Sequence, residues 1–201
     1  MKKPTGPRIV RRSARGRVFS PSTLRKAKPA LMRDFKGRCA YSMQHWKRAG
    51  GKTCMEIDHF DPRTKSEPIQ HYENLMLATR HCNRAKVDIW PTETEEKAGI
   101  RFLNPCMEPD YGVHMVEDQV TGKLIPLTPA GTFQIYMCDL NAPHLMIERQ
   151  QRTRIIAALH TRSPGSGSAP AEEAAMRQIL REELRSMIPK ILLRDATSVG
   201  S

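Results

Sequence analysis

The spacing of apolar and polar residues divides the chain into short elements. Residues 31–49 (LMRDFKGRCAYSMQHWKRA) predict a helical turn that runs into an irregular loop. In CMEIDHF, residues 54–60, β-favouring character around Ile57 predicts a short strand. It stops at Phe60-Asp61-Pro62, because proline restricts the residue before it. A polar loop containing Pro68 follows, and Leu75 and Leu77 then predict a turn into a short helix that begins between Thr79 and Asn83. Residues 113–117 and 123–127, joined by a turn over 119–122, predict a hairpin; TFQIYM, residues 132–137, predicts a third strand. Asn141 or Pro143 opens a helix that runs to about His160. SPGSGSAP, residues 163–170, reads as a linker by composition. Beyond it, Met176, Ile179, Leu180, Leu184, Met187 and Ile188 place an apolar stripe on one face of a helix over 171–188, to dock on its own domain or on a partner.

Charge changes this picture. The 201 residues carry a formal net charge of +12, unevenly distributed. Residues 1–30 contain Lys2, Lys3, Arg8, Arg11, Arg12, Arg15, Arg17, Arg25, Lys26 and Lys28 and no acid, and four prolines prevent a long helix there. This stretch predicts an extended basic arm and, with the net charge, a polyanionic partner whose counterions are released on binding. No apolar run approaches the length that spans a bilayer, and no apolar segment follows the N-terminal basic residues as in a secretory signal. The five cysteines are odd in number and form no CxxC pair, which predicts reduced thiols and a cytoplasmic location.

The chemistry-bearing stretch is EIDHFDP, residues 56–62. Asp58 offers a hard cation an oxygen ligand, and His59 titrates near neutrality and can take a proton from water. Neighbours on a strand face opposite ways, so the two converge only if the backbone turns directly after them, as Phe60-Asp61-Pro62 allows. Further on, NLMLATRHCNRAK, residues 74–86, adds Asn74 and Asn83 as neutral oxygen donors beside Arg80, Arg84 and Lys86. One acid, one histidine, one amide and several cations equip a site for metal-assisted phosphodiester hydrolysis. Taken singly, each residue reads more simply: His59 as a structural histidine, Asp58 as a turn acid, Asn83 as a helix cap.

In this order and spacing, GRCAYS, EIDHFDP and ENLMLATRHCNRAK resemble the HNH nuclease family over Gly37 to about Pro91. The resemblance implies an α+β chain with a ββα-metal core. It makes His59 the general base, Asp58 and Asn83 the ligands of one Mg²⁺ or Mn²⁺ ion, and Asn74 a catalytic-motif residue that holds the loop and the histidine. Arg63, Arg80, Arg84 and Lys86, with Arg11 and Arg12 of the arm, are expected to meet nucleic acid, with DNA the expected substrate. Many HNH proteins staple their loops with zinc through two CxxC pairs. Here Cys39-Ala40-Tyr41-Ser42 and Thr79-Arg80-His81-Cys82 each keep one cysteine, so no structural zinc is expected. Packing of Tyr41, Phe60, Leu77 and Trp90 is expected to take its place, with Cys39 and Cys82 a buried thiol pair. Glu56 and Asp61 are expected to be solvated acids, and the histidines other than His59 to be surface or loop residues.

Residues 101–152, through RFLNPCMEPD, TGKLIPLT and DLNAPHLMIERQQR, are similar to the tail of small HNH proteins of bacterial anti-phage systems, including the Septu-type nuclease that works beside an ATPase. That resemblance implies a defence effector with a protein partner such as an ATPase, a phage or mobile-element nuclease being the competing context. The resulting division is a basic arm over 1–30, a nuclease core over 31–100, and a hairpin-plus-helix extension over 101–160. A linker over 161–170 and a terminal amphipathic helix and tail over 171–201 complete it. The expected function is a metal-dependent endonuclease; the alternative is a subunit that keeps the fold but binds nucleic acid or a partner without cutting.

Overall fold

The computed structural model describes residues 9–161, so residues 1–8, the 163–170 linker and the 171–188 helix lie outside it. The elements run β1 (Val18–Phe19), α1 (Lys28–Asp34), β2 (Met55–His59), β3 (Gln70–His71), β4 (Leu75–Thr79), α2 (Arg80–Lys86) and α3 (Glu93–Lys97). They continue as β5 (Met115–Glu117), β6 (Leu124–Pro126), α4 (Pro129–Met137) and α5 (Pro143–Thr161). The strands pair antiparallel as β1–β3, β2–β4 and β5–β6, which makes the chain α+β.

The centre is the β2–β4 pair, in which Ile57 faces Leu77, Asp58 faces Met76 and His59 faces Leu75. Every residue of β4 is buried, because α1 and α2 pack against the strand and LMLAT supplies apolar side chains to both faces. This segment was expected to be a turn; burial on both faces removes the alternation that marks a strand. Thr79 ends β4 and caps α2, its Oγ1 accepting from the Cys82 backbone N–H at 3.4 Å. β2, β4 and α2 thus form the ββα unit. Beneath it Cys39 and Cys82 are fully buried and hydrogen-bonded to one another. The Cys39 sulfur also accepts from the Tyr41 N–H and the Thr79 hydroxyl.

The basic arm is extended in part, but from Ile9 onward it is packed rather than free. β1 pairs with β3, and Ser13 donates its N–H and its hydroxyl to Asp34. The Arg11 guanidinium donates to the carbonyls of Tyr72 at 2.8 Å and Leu75 at 2.6 Å and lies over the Phe35 and Tyr72 rings.

In the extension, the expected hairpin forms as β5 and β6. The expected strand over 132–137 is instead part of α4. Thr128 caps that helix by accepting from the Gly131 N–H at 3.1 Å, and Pro129 occupies the first turn, where its missing N–H has no consequence. Those start signals outweigh the β-favouring composition of TFQIYM. Phe60, Trp90, Phe102 and Phe133 form a chain of edge and tilted ring contacts at 4.8–5.8 Å that joins core to extension. Among the described residues, no helix is long and apolar enough to cross a membrane.

Candidate active site

Asp58, His59 and Asn83 line one cavity of about 290 Å³, together with Lys65, Arg84 and Asp88. β2 delivers the first two at its C-terminal end. The chain then leaves the sheet: the Phe60 N–H donates to the Asn74 carbonyl, and the Asn74 side chain grips the next loop. Its Oδ1 accepts from the Asp61 N–H at 2.8 Å, and its Nδ2 donates to the Asp61 carbonyl and to Thr64 Oγ1. Asn74 is therefore a loop anchor, and the loop it fixes is what lets adjacent strand residues border the same cavity.

Asp58 is 6% exposed. Its Oδ2 accepts from the Tyr41 hydroxyl and lies 3.4 Å from Lys86 Nζ, so both contacts fall on one oxygen. Burial pushes the Asp58 carboxyl up, while the Lys86 ammonium and the Tyr41 hydroxyl pull it back down. Lys86 is fully buried and donates to the His59 carbonyl at 2.9 Å, with its ammonium over the Phe102 ring. It was expected to meet nucleic acid. The structure places it inside, where one ammonium holds the backbone of the histidine and the side chain of the aspartate.

His59 Nε2 lies 2.7 Å from Gln70 Oε1. The Gln70 amide nitrogen is directed at the carbonyls of Thr64, Lys65 and Glu67, so its oxygen is the atom that meets the ring. An amide oxygen only accepts, so Nε2 carries the proton and Nδ1 is the basic nitrogen of the neutral ring. Burial lowers the His59 pKa, with the Gln70 hydrogen bond and the Asp58 charge opposing it.

Asn83 is oriented in the same manner. Its Nδ2 donates to Glu56 Oε2 at 2.8 Å, and Glu56 Oε1 accepts from Arg80 Nε at 2.9 Å. A carboxylate cannot donate, so the Asn83 oxygen is the amide atom turned away from Glu56. Glu56, expected to be a solvated acid, is thus a partner of the site. The period of two along β2 carried that signal, because Glu56 and Asp58 share a strand face. Gln70 had no sequence signal: it ends a stretch that reads as a polar loop, whereas the structure buries it in β3, from which it reaches His59.

The remaining expected contacts divide. Arg84 is exposed at the cavity rim, and Arg12 is exposed on the packed arm. Arg63 is exposed, ion-paired with Asp61 at 2.7 Å and placed over the Trp90 ring. Arg80 is bound to Glu56, and Arg11 is committed to backbone carbonyls inside the fold, which removes it from the nucleic-acid surface. His45, expected to be a surface or loop histidine, lies in the loop before β2 but is only 9% exposed, against Trp46, and burial drops its pKa to about 4.

Residues 39–88 match the family model described as HNH endonuclease. This segment is an HNH domain. It spans the Cys39–Cys82 pair, β2, β4, α2 and every residue assigned above to the cavity, and such a domain points to nuclease activity on nucleic acid. The match stops at residue 88 and does not reach the extension, whose likeness to anti-phage proteins it leaves unsupported. Comparisons with curated proteins and with solved structures gave no match.

HNH nucleases typically use a divalent metal, and the donor set here fits one. Among the described residues, no group of three or more His, Cys, Asp or Glu side chains is placed to hold an ion. One carboxylate and one amide oxygen on a shared cavity suit a hard cation that keeps waters and takes its other ligands from a phosphate.

Proposed function

We propose that the HNH domain hydrolyses phosphodiester bonds of DNA, with His59 as general base and one Mg²⁺ or Mn²⁺ ion held by Asp58 and Asn83. The observation that carries this reading is the convergence of these three side chains on one cavity, each held by a partner that fixes its reactive atom. Gln70 keeps the proton on Nε2 of His59, so Nδ1 accepts the proton of the water that attacks phosphorus. Burial favours the neutral ring. Glu56 holds the Asn83 amide by its nitrogen, so the oxygen is the atom that would meet the cation, and Lys86 fixes Asp58 and the end of β2. Arg84, at the rim, offers its guanidinium to a phosphate oxygen. The cation, when bound, supplies positive charge against the charge that develops on the phosphate and the leaving oxygen.

Supercoiled plasmid incubated with Mg²⁺, Mn²⁺ or EDTA tests the proposal. The wild-type protein nicks the plasmid with either metal and not with EDTA, and His59→Ala lowers the rate by about 10²–10⁴-fold. Tight plasmid binding with no cutting under any metal makes the protein a non-cleaving module instead.

A further inference from the structure

The carboxylate of Asp58 is held on one oxygen by two segments that lie far apart in the chain. The loop over 39–42 is tied to β4, the Ala40 N–H donating to the Leu77 carbonyl at 2.7 Å. It brings the fully buried Tyr41 to Asp58, whose Oδ2 accepts from the phenol hydroxyl. From α2, the Lys86 ammonium lies 3.4 Å from the same oxygen while donating to the His59 carbonyl at 2.9 Å. The two contacts differ in kind. An ammonium attracts a carboxylate by charge and chooses weakly between its oxygens, whereas an O–H donates along one direction to one atom. The Tyr41 hydroxyl therefore decides which oxygen of Asp58 turns inward. Among the described residues no hydrogen bond reaches Oδ1, and Asp58 borders the cavity.

We propose that Tyr41 is a positioning residue that makes Asp58 a one-oxygen ligand and so favours Mg²⁺ or Mn²⁺ over Ca²⁺ at the site. The inference rests on the nuclease reading in taking Asp58 and Asn83 as the ligands of the ion. A carboxylate chelates through both oxygens only when both can turn to the ion, and here a buried donor engages Oδ2. Asp58 and Asn83 then supply one oxygen each. Small divalent ions tolerate so few protein ligands, because they keep several waters in an octahedral shell. Ca²⁺ takes about six to eight oxygens and gains more from a carboxylate that offers both.

The test is Mn²⁺ binding followed by electron paramagnetic resonance, with Ca²⁺ as competitor, on the full-length His59→Ala protein bound to a DNA duplex. That protein keeps both ligands and lacks the base, so the duplex stays whole. Mn²⁺ is expected to bind more tightly than Ca²⁺, and adding Asp58→Ala is expected to abolish the binding. Adding Tyr41→Phe, which keeps the ring and removes the hydroxyl, is expected to weaken Mn²⁺ binding by about 10-fold and Ca²⁺ binding by less, so that the preference narrows. A tyrosine that only supports the fold would weaken both ions in proportion. Proportional losses, or none, overturn the proposal. Mn²⁺ binding that survives Asp58→Ala also overturns it, as does Ca²⁺ binding as tight as that of Mn²⁺ before Tyr41 is changed, a measurement that does not depend on the Tyr41→Phe protein folding. Plasmid nicking by the proteins that keep His59 is measured in parallel. A narrowed preference upholds the role of Tyr41 even if the wild type never cuts, in which case only the nuclease reading fails. An unchanged preference in a protein that does cut overturns the role of Tyr41 and leaves the nuclease reading standing.

Discussion

Both halves of the molecule bury charge, but they use it differently. In the HNH domain, Asp58 and His59 border a cavity, and Lys86 sits directly behind them. In the extension, Arg149 is 3% exposed and donates to the carbonyls of Gly122 and Leu140, while Arg152 pairs with Glu117. Those guanidinium groups do not line that cavity. They close the β5–β6 hairpin onto α5, where carbonyls that α5 cannot reach through its own backbone need donors. The contrast teaches that burial of a charge does not by itself mark function. A buried charge marks function when an atom of it is left over for something that is not protein.

Substitutions in the two regions should therefore separate activity from stability. The largest effect is expected at His59. His59→Ala should slow cutting by about 10²–10⁴-fold while shifting the unfolding free energy by no more than about 1–2 kcal/mol, the cost of one broken hydrogen bond and its unpaired partner. Urea unfolding beside the nicking assay checks this, and comparable losses in both would dissolve the contrast. Next comes Arg149→Met, which leaves two buried carbonyls without a donor. It should lower stability by about 2–4 kcal/mol with the nicking rate per folded molecule unchanged. A catalytic loss at Arg149 with full stability would place the extension inside the catalytic machinery. The smallest effect is expected at Gln70→Leu, which removes the acceptor that sets the His59 tautomer. A rate loss of about 10–100-fold is expected, with long-range ¹H–¹⁵N spectra showing the ring proton no longer confined to Nε2. An unchanged tautomer would make Gln70 a packing residue only.

The HNH domain was largely legible in the chain, because the residues proposed for its site lie in two short segments that an antiparallel register brings together. That Asp58, His59 and Asn83 would border one cavity could be read from order and spacing, and so could the loop-holding part of Asn74. The supports were harder. Gln70 and Tyr41 reach the site through tertiary packing, and no local pattern announces them. Arg11 and Lys86 were misjudged because charge alone suggested a surface, whereas their long apolar stems let them lie inside with the head group bonded to carbonyls. β4 was missed because burial on both faces hides the strand period, and α4 because its cap and proline outweigh a β-favouring run. The extension's packing onto the core through Phe60, Trp90 and Phe102 was legible only in part, since Phe102 lies outside the motif.

The most direct test of the central claim is a crystal of the His59→Ala protein with a DNA duplex and Mn²⁺, read by anomalous scattering. A single Mn²⁺ peak about 2.1 Å from a carboxylate oxygen of Asp58 and from the Asn83 amide oxygen, and in contact with a phosphate, is the predicted result. An ion bound elsewhere on the domain, with Asp58 held only by Lys86 and Tyr41, would contradict it.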